Sequence, residues 1–388
     1  MMHRALRRMV ALEDYFEDEE TRRAYSYDAS GAEGLPAVIV RPRHNEQLRR
    51  ILVHANRYKL KVIPRGSGTG TRAGAVRKDA LIIDMRGFDT ITRLDTQLHT
   101  VDVGAGVTVA ALARALEKKG YHFPLVPANS VATIGGLAAT NHVTEESQLF
   151  GDWNDLVERA ESFDGLGRFH TSKGKELDKV LGKEGTTGVL VTLRLKITKQ
   201  RARTLDVFEV DNPSAALSHV ERLSHMRGVL SIEYLDAAAS QLLGLDKEEH
   251  LLVAYTSDAG GYKDIVKVES LLAARKRLTS TLWSQGYTHE IEASLEEEQI
   301  ERFAARCKQA GQPCYGHIGL GIMLTAAKDT KAAESFRNGL VSIGAMVGGK
   351  HGYGRLLHDY VPDQVRKDVR KLKEERDYNE VLNPGVIV

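Results

Sequence analysis

The feature that most limits how this chain can fold is a loop with four glycines in twelve residues, 64–75 (Pro-Arg-Gly-Ser-Gly-Thr-Gly-Thr-Arg-Ala-Gly-Ala). Glycines at this density let backbone N–H groups converge on an anion without obstruction by side chains, so a phosphate or pyrophosphate is the expected ligand. A Rossmann phosphate site requires a strand before such a loop and a helix directly after it. Here a predicted strand precedes the loop, but Arg77-Lys-Asp79 and then another strand follow. The loop therefore predicts a phosphate site outside the Rossmann fold, or else a glycine-rich hairpin that binds no ligand.

Three further glycine clusters follow along the chain, which contains 35 glycines in 388 residues. Gly104-Ala-Gly106 precedes a predicted helix, 132–141 contains a pair of glycines, and 181–188 leads directly into a predicted strand. Each cluster alone is a weak signal. Four clusters in order between predicted elements indicate an extended ligand that is bound along one domain.

The length of the chain exceeds what one hydrophobic core usually spans, which favours two domains or one large domain that carries an insertion. Short apolar runs alternate with helical spacings of apolar residues over 31–200 and predict an α+β domain, after a polar, helical lead-in at 1–30. Over 201–340, longer helical patterns alternate with strands and predict a second domain of α/β type. Residues 341–388 form the remaining segment.

Composition excludes several classes of protein. Lys and Arg number 54 against 52 Asp and Glu, so there is no electrostatic reason to expect a nucleic-acid partner. Cys307 and Cys314 suit neither a disulfide framework nor a common zinc site, and we expect ordinary thiols in a reducing compartment. No run approaches the roughly 18 apolar residues of a transmembrane helix, and the first residues lack the apolar region of a signal peptide. We expect a cytoplasmic protein, which a partner could still bring to a membrane.

The four glycine loops, in this order, resemble the FAD-binding segments of the vanillyl-alcohol oxidase family, also called PCMH-type flavoproteins. Residues 64–70 resemble the pyrophosphate loop of that family. Residues 103–108, 132–136 and 182–189 resemble its later flavin-contacting segments. Three later motifs resemble markers of the branch that contains D-lactate dehydrogenases and glycolate oxidase FAD subunits: Gly316-His-Ile-Gly, Gly349-Lys-His-Gly-Tyr-Gly354 and Val381-Leu-Asn-Pro-Gly385. The resemblance extends from about Tyr25 to residue 388.

This resemblance implies a PCMH-type FAD-binding domain of two α+β subdomains, an α/β cap domain, and a C-terminal return to the FAD domain. Covalent members of the family tether FAD through a His or Cys near the pyrophosphate loop, and residues 65–75 contain neither. We therefore expect non-covalent FAD. The positions that match cofactor-contacting segments are Pro64, Arg65, Gly66, Ser67, Gly68, Thr69, Gly70, Gly74, Ala75, Pro127, Ser130, Thr133, Gly135, Gly136, Ala139, Thr140, Glu184, Gly185, Gly188, Val189 and Asn383.

The same resemblance supplies candidate catalytic residues. Oxidation of an alcohol by a flavin needs a base for the hydroxyl proton, and His351 matches the histidine of the family's Glu-His-Gly element. His317 lies between glycines and is a second candidate. Arg275 resembles an arginine that binds the substrate carboxylate, for which a planar cationic fork is well suited.

The sequence departs from the family at the metal ligands. Related hydroxy-acid dehydrogenases carry Gly-His-x-Gly-Asp-Gly-Asn-x-His, and the two histidines with a later glutamate can hold a divalent metal. Here Leu320, Ile322 and Leu324 replace the Asp, the Asn and the second His, and Lys350 replaces the glutamate. One remaining imidazole is not a usable metal site, and Lys350 would repel a cation but attract an anionic substrate. We predict that no metal is bound.

Three functions remain open at this point. The first is a metal-free FAD-dependent dehydrogenase that oxidises a small hydroxy acid of the D-lactate or glycolate kind, or a sugar acid, by hydride transfer to flavin N5. The second is a non-catalytic or electron-relaying FAD subunit of a complex like glycolate oxidase, and the third is a lactone or alditol oxidase of the same fold. The expected partners are an electron-acceptor protein or an Fe–S subunit, and homo-oligomers are also open.

Overall fold

A computed structural model describes residues 5–125, 131–256 and 265–388. The chain divides into two compact units. The first comprises Met1–Val143, Asp152–Gln200 and Lys350–Val388, and the second comprises Thr144–Gly151 and Arg201–Gly349. Both units combine helices with sheets, which agrees with the mixed fold expected from the sequence.

The first unit contains three sheets in its described part. One has the order β1-β2-β4-β3, in which β2, β4 and β3 are parallel and β1 is antiparallel. A second, antiparallel sheet has the order β5-β6-β10-β8-β9, and β7 pairs with β11. The strands are β1 (Tyr15–Phe16), β2 (Val38–Val40), β3 (Val62–Arg65), β4 (Leu81–Asp84), β5 (Ile91–Asp95), β6 (Thr100–Gly104), β7 (Tyr121–His122), β8 (Val157–Phe163), β9 (Phe169–Ser172), β10 (Val189–Lys196) and β11 (Thr198–Lys199).

The parallel strands are apolar on both faces because both faces are buried, as is usual for parallel sheets. In β4, Leu81 and Ile83 belong to a core cluster that includes residues of the helix Asn45–Tyr58, whereas Ile82 clusters with Tyr25 on the other side. The cluster around Leu81 also contains two residues of β10, Val189 and Val191. The two larger sheets of this unit therefore share one hydrophobic core.

Helices and C-terminal residues complete the first unit. Val62 of β3 donates its N–H to the carbonyl of Val381 at 2.8 Å and accepts from the N–H of Asn383 at 2.8 Å, so the C-terminal segment returns to this sheet. The α-helices are Glu19–Ala24, Asn45–Tyr58, Val109–Glu117, Ile134–Thr140, Trp153–Leu156 and Asp363–Arg376, and the 3₁₀ helices are Leu12–Asp14, Met85–Gly87, Gly174–Lys179 and His358–Tyr360.

The second unit is built on a seven-stranded antiparallel sheet of order β12-β14-β13-β16-β17-β15-β18. Its strands are β12 (Arg203–Val210), β13 (Val229–Leu235), β14 (Glu249–Thr256), β15 (His289–Ser294), β16 (Tyr315–His317), β17 (Ile322–Ala327) and β18 (Met346–Val347). Its helices are Ser147–Phe150, Pro213–Ser224, Ala237–Leu242, Ile265–Ser284, Glu297–Ala310 and Thr330–Ser342, with a 3₁₀ turn at Ile318–Leu320.

The units differ from the expected domains in three places. The lead-in at 1–30 is not purely helical, because Tyr15 pairs with Val40 of β2 and so joins the parallel sheet. Residues 144–151 interrupt the expected first domain, since the helix Ser147–Phe150 packs on β13. Residues 341–349 belong with the second unit rather than with the C-terminal segment, because β18 pairs with β15.

Candidate functional site

The glycine-rich loop connects β3 to β4 in the first unit and is held from behind by Arg65. This side chain is buried, and its guanidinium donates to the carbonyls of Tyr27 at 2.6 Å and Ala75 at 3.0 Å. A Cβ on Gly68 would lie 2.2 Å from the same guanidinium, and Gly68 has a φ of +71°. Arg65 therefore braces the loop through its side chain, and a glycine is required where the loop passes over it.

Close approach between loops explains several of the other glycines. A Cβ on Gly66 would lie 2.1 Å from Oγ1 of Thr133, and one on Gly135 would lie 2.6 Å from the Cβ of Ala105. A Cβ on Gly185 would lie 3.2 Å from Cγ of Pro64. The four glycine clusters, which are distant in sequence, thus meet in one place.

Most of the remaining predicted cofactor contacts lie on these same loops. Thr133 caps the helix Ile134–Thr140 by accepting from the N–H of Gly136 at 3.3 Å. Pro127 and Ser130 lie outside the described residues. The others occupy the β3–β4 loop, the helix Ile134–Thr140, or the end of the loop before β10 and its first residue. Their cofactor contacts stay predictions: Ser67, Thr69, Gly70, Gly74, Ala139, Thr140, Gly188 and Val189.

The Glu184 side chain connects the fourth glycine cluster to the segment that carries His351. The buried carboxylate accepts from the N–H of Tyr353 at 2.6 Å and from that of Gly354 at 2.9 Å. Burial raises the pKa of this carboxyl despite the two N–H donors. Its observed side-chain role is to hold the 353–354 backbone, which the sequence did not reveal.

Asn383 ties the C-terminal segment into the same network. Its Nδ2 donates to the carbonyls of Gly74 at 3.1 Å and Glu184 at 2.8 Å, and its Oδ1 accepts from Nη2 of Arg355 at 2.9 Å. Arg355 also donates to the carbonyls of Ala73 at 2.9 Å and Val76 at 2.8 Å. Arg355 was not predicted, and it holds the glycine-rich loop from the C-terminal side.

We expect Glu184→Gln to destabilise the protein by about 1–3 kcal/mol, because one buried backbone N–H loses its acceptor and faces an amide NH₂ instead. Chemical denaturation of the two proteins measures the difference. Glu176→Gln is the matched control, since Glu176 is exposed and pairs only at the surface with Lys179. Equal stability of Glu184→Gln and Glu176→Gln would contradict a structural role for the Glu184 carboxylate.

His351 lies in the first unit with its ring orientation fixed by a backbone group. Its Nε2 lies 3.2 Å from the carbonyl oxygen of Val143, and its ring packs on that of His142 with centroids 4.6 Å apart. Because a carbonyl oxygen only accepts, Nε2 carries the proton in neutral His351 and Nδ1 carries the lone pair. The sequence pointed to His351 but not to His142, although His142 directly follows the third glycine cluster. Lys350 is half-buried next to His351, and its carbonyl accepts from Val143 at 3.3 Å.

Arg275 and His317 are brought together in the second unit by Glu233, a buried residue of β13 that no sequence motif indicated. Nε of Arg275 is hydrogen-bonded to the Glu233 carboxylate, and Nδ1 of His317 lies 3.9 Å from Oε1 of the same residue. The Arg275 guanidinium also lies over the ring of Tyr315 at 5.6 Å. Burial is the largest single influence and lowers the pKa of Arg275, but the charge of Glu233, the Tyr315 hydroxyl and the hydrogen bond to Glu233 together outweigh it, and the pKa is raised. Arg275 is thus a cation whose position is fixed by the Glu233 carboxylate.

The positions that differ from the family's metal motif are occupied by apolar side chains in the structure. Ile322 and Leu324 are buried in β17, and Leu320 ends the 3₁₀ turn before it. Within residues 5–125, 131–256 and 265–388, no group of three or more His, Cys, Asp or Glu side chains is placed to hold a metal ion. No helix in this part of the chain is long and apolar enough to span a bilayer.

Part of the chain matches a known protein family. Residues 36–173 match the family described as an FAD binding domain, which confirms FAD as the cofactor expected from the sequence. The observed loops fit such a ligand: three glycines allow the loops to meet, and among the described residues no protein atom lies within 4 Å of the place that a Cβ on Gly70 would take.

Relatives match over almost the whole chain. The D-lactate dehydrogenase of Archaeoglobus fulgidus is 25% identical over 406 residues, which cover 90% of this chain and 91% of the relative. The glycolate oxidase subunit GlcD of Bacillus subtilis is 23% identical, with 96% and 93% covered. A solved structure of alkyldihydroxyacetonephosphate synthase superposes with a TM-score of 0.75 at 16% identity, covering 99% of this chain and 84% of that chain, and supports the fold alone.

Proposed function

We propose that this chain, an FAD-dependent oxidoreductase with an FAD binding domain at residues 36–173, oxidises the CH–OH group of a small 2-hydroxy acid. The observation that carries this proposal is the fixed imidazole of His351, whose Nε2 faces the Val143 carbonyl so that Nδ1 is the basic atom. Similarity to relatives named D-lactate dehydrogenase and glycolate oxidase subunit supports the substrate class.

FAD held by the glycine loops at 64–75, 132–141 and 181–188 would supply the hydride acceptor, flavin N5, for oxidation of the alcohol carbon. Nδ1 of His351 takes up the hydroxyl proton as the hydride leaves, so that the alcohol becomes a 2-oxo acid and the proton is later released to water. We assign the substrate carboxylate to the guanidinium of Arg275, which Glu233 orients through Nε. His317 assists in placing the substrate, and Lys350 adds positive charge that favours an anionic substrate.

The proposed reaction needs no metal. The positions that would supply ligands hold Leu320, Ile322 and Leu324, and Lys350 stands in place of a carboxylate. Substrate orientation therefore depends on hydrogen bonds and ion pairs from the protein.

The substrate class is tested by reduction of the FAD-loaded protein without oxygen, followed at the flavin absorbance. We expect D- or L-2-hydroxy acids to bleach the flavin, and uncharged alcohols of the same size to bleach it far more slowly. In Arg275→Lys, the KM for the hydroxy acid should rise about 10- to 100-fold, because an ammonium keeps the pairing with Glu233 but loses the planar fork.

Arg277→Lys is the matched control for this experiment. Arg277 lies two residues further along the same helix, Ile265–Ser284, and is exposed. Equal KM values for the wild type and Arg275→Lys would remove Arg275 as the carboxylate ligand.

An electron-relaying subunit is the second candidate, and the similarity to a relative named as a subunit favours it. In that case no hydroxy acid bleaches the flavin, whereas a reduced dye or an electron-carrying protein with an Fe–S centre does. A lactone or alditol oxidase would instead bleach with neutral substrates and reoxidise rapidly in air.

A further inference from the structure

His142 occupies a rigid position at the end of a helix in the first unit. Asn141, which precedes it, has a φ of +49° and ends the helix Ile134–Thr140. The indole N–H of Trp153, a fully buried residue, donates to the His142 carbonyl at 3.0 Å. The backbone of His142 is thus fixed by the core of the unit.

Two adjacent residues hold the ring of His351. The ring of His142 packs on it at a centroid distance of 4.6 Å with 59° between the ring planes. The carbonyl oxygen of Val143 accepts a hydrogen bond from Nε2 of His351 at 3.2 Å. Ring packing and the carbonyl together define where Nδ1 points.

We propose that His142 is a positioning residue for the oxidation reaction: it orients His351 and takes up a proton in its place as the pH falls. This inference rests on the proposed role of His351 as the base. His142 lies far in sequence from the family motif at 349–354, and only the fold places its ring against His351.

Two charged imidazoles at this separation repel each other, so the pair holds a single proton over a range of pH. While that proton resides on His142, His351 remains neutral and Nδ1 can act as a base. A single histidine would lose its basic form at a higher pH than the pair does.

The surrounding charges favour the proton on His142. Lys350 is the neighbour of His351 and disfavours a second positive charge there, and Arg72 and Arg355 add positive charge to the segments that meet at residues 354–356. The Glu184 carboxylate is the opposing charge on this side, and it is engaged by the N–H groups of Tyr353 and Gly354. On the other side, Asp152 accepts from the side-chain amide of Asn141 at 3.0 Å, next to His142.

The test uses His142→Phe, which keeps an aromatic ring against His351 but cannot be protonated. We expect the acid limb of the pH profile of flavin reduction to move up by about one pH unit, while the rate at high pH stays near that of the wild type. In His142→Ala the ring contact is also lost, and the rate at high pH should fall about tenfold or more.

A second readout does not depend on turnover. The ring of His351 is followed by NMR of labelled histidine in the FAD-loaded protein and assigned with His351→Gln, and its titration should also move to higher pH in His142→Phe. His44→Phe is the control, since His44 is exposed in the same unit and makes no side-chain cap to its helix.

The outcomes separate this inference from the proposed function. If both the acid limb and the His351 titration are unchanged in His142→Phe, the inference is overturned. If the His351 titration moves but flavin reduction does not respond, the histidine pair stands and His351 is not the base, so the proposed function fails at that point.

Discussion

Substitution of His351 by glutamine is expected to slow the reduction of bound FAD by hydroxy acid about 10²- to 10⁴-fold, the usual contribution of a positioned base. Glutamine is chosen because its amide can still donate to the Val143 carbonyl, as Nε2 of His351 does at 3.2 Å, but it offers no basic atom. Anaerobic stopped-flow absorbance measures the rate, and the flavin spectrum of the purified variant shows that FAD remains bound.

His317→Gln provides the comparison for this experiment. His317 is the second candidate base and lies in the other unit, near Glu233. A larger loss in His317→Gln than in His351→Gln would transfer the role of base to His317, and a wild-type rate in His351→Gln would exclude His351 from proton transfer.

Gly66→Ala is expected to weaken FAD binding about 10- to 100-fold. The added Cβ would lie 2.1 Å from Oγ1 of Thr133, so that the glycine-rich loop and the helix Ile134–Thr140 must separate. Overpacking of this kind costs about 1–3 kcal/mol, and the same movement displaces two of the loops that would hold the cofactor. Titration of the FAD-free protein with FAD, followed by flavin fluorescence, gives the dissociation constant.

Two further variants make the steric explanation specific. In Gly66→Ala/Thr133→Ala the clashing hydroxyl is absent, and part of the affinity should return despite the lost helix cap. Gly70→Ala should leave the thermal stability of the FAD-free protein unchanged, because no atom of residues 5–125, 131–256 or 265–388 lies within 4 Å of the place that its Cβ would take. Additive losses in the double variant would refute the contact between Gly66 and Thr133 as the cause.

Much of the first unit could be predicted from the sequence because its signals are local. The helix Asn45–Tyr58 places Leu48, Ile51 and Leu52 on one face, and all three are fully buried. Strands such as β8 (Val157–Phe163) were not predicted, because charged residues interrupt their apolar pattern and their identity depends on pairing with β10. The exchange of residues 144–151 to the second unit likewise depends on packing against β13, which no local pattern encodes.

The site shows the same division. Glycine density located the loops, and the match to known motifs located His351, both from short stretches of sequence. The partner of His351 Nε2 lies 208 positions away, and Glu233 and Arg275 are 42 apart, so these contacts arise only from the fold. Arg65 and Glu184 illustrate the limit: they lie in cofactor-type motifs, yet their side chains contact the protein's own backbone.

The pairing of β3 with residues 381–383 has a consequence for how the protein is made. The loop that follows β3 is held by Asn383, a residue 309 positions after its partner Gly74. During synthesis on a ribosome, the glycine loops emerge long before the segment that fixes them. A nascent chain that ends before residue 350 contains every glycine loop but lacks Arg355 and Asn383. We therefore expect the loop at 64–75 to reach its observed geometry only after residues 355–383 have been synthesised, so that FAD binds to a chain that already includes the C-terminal segment.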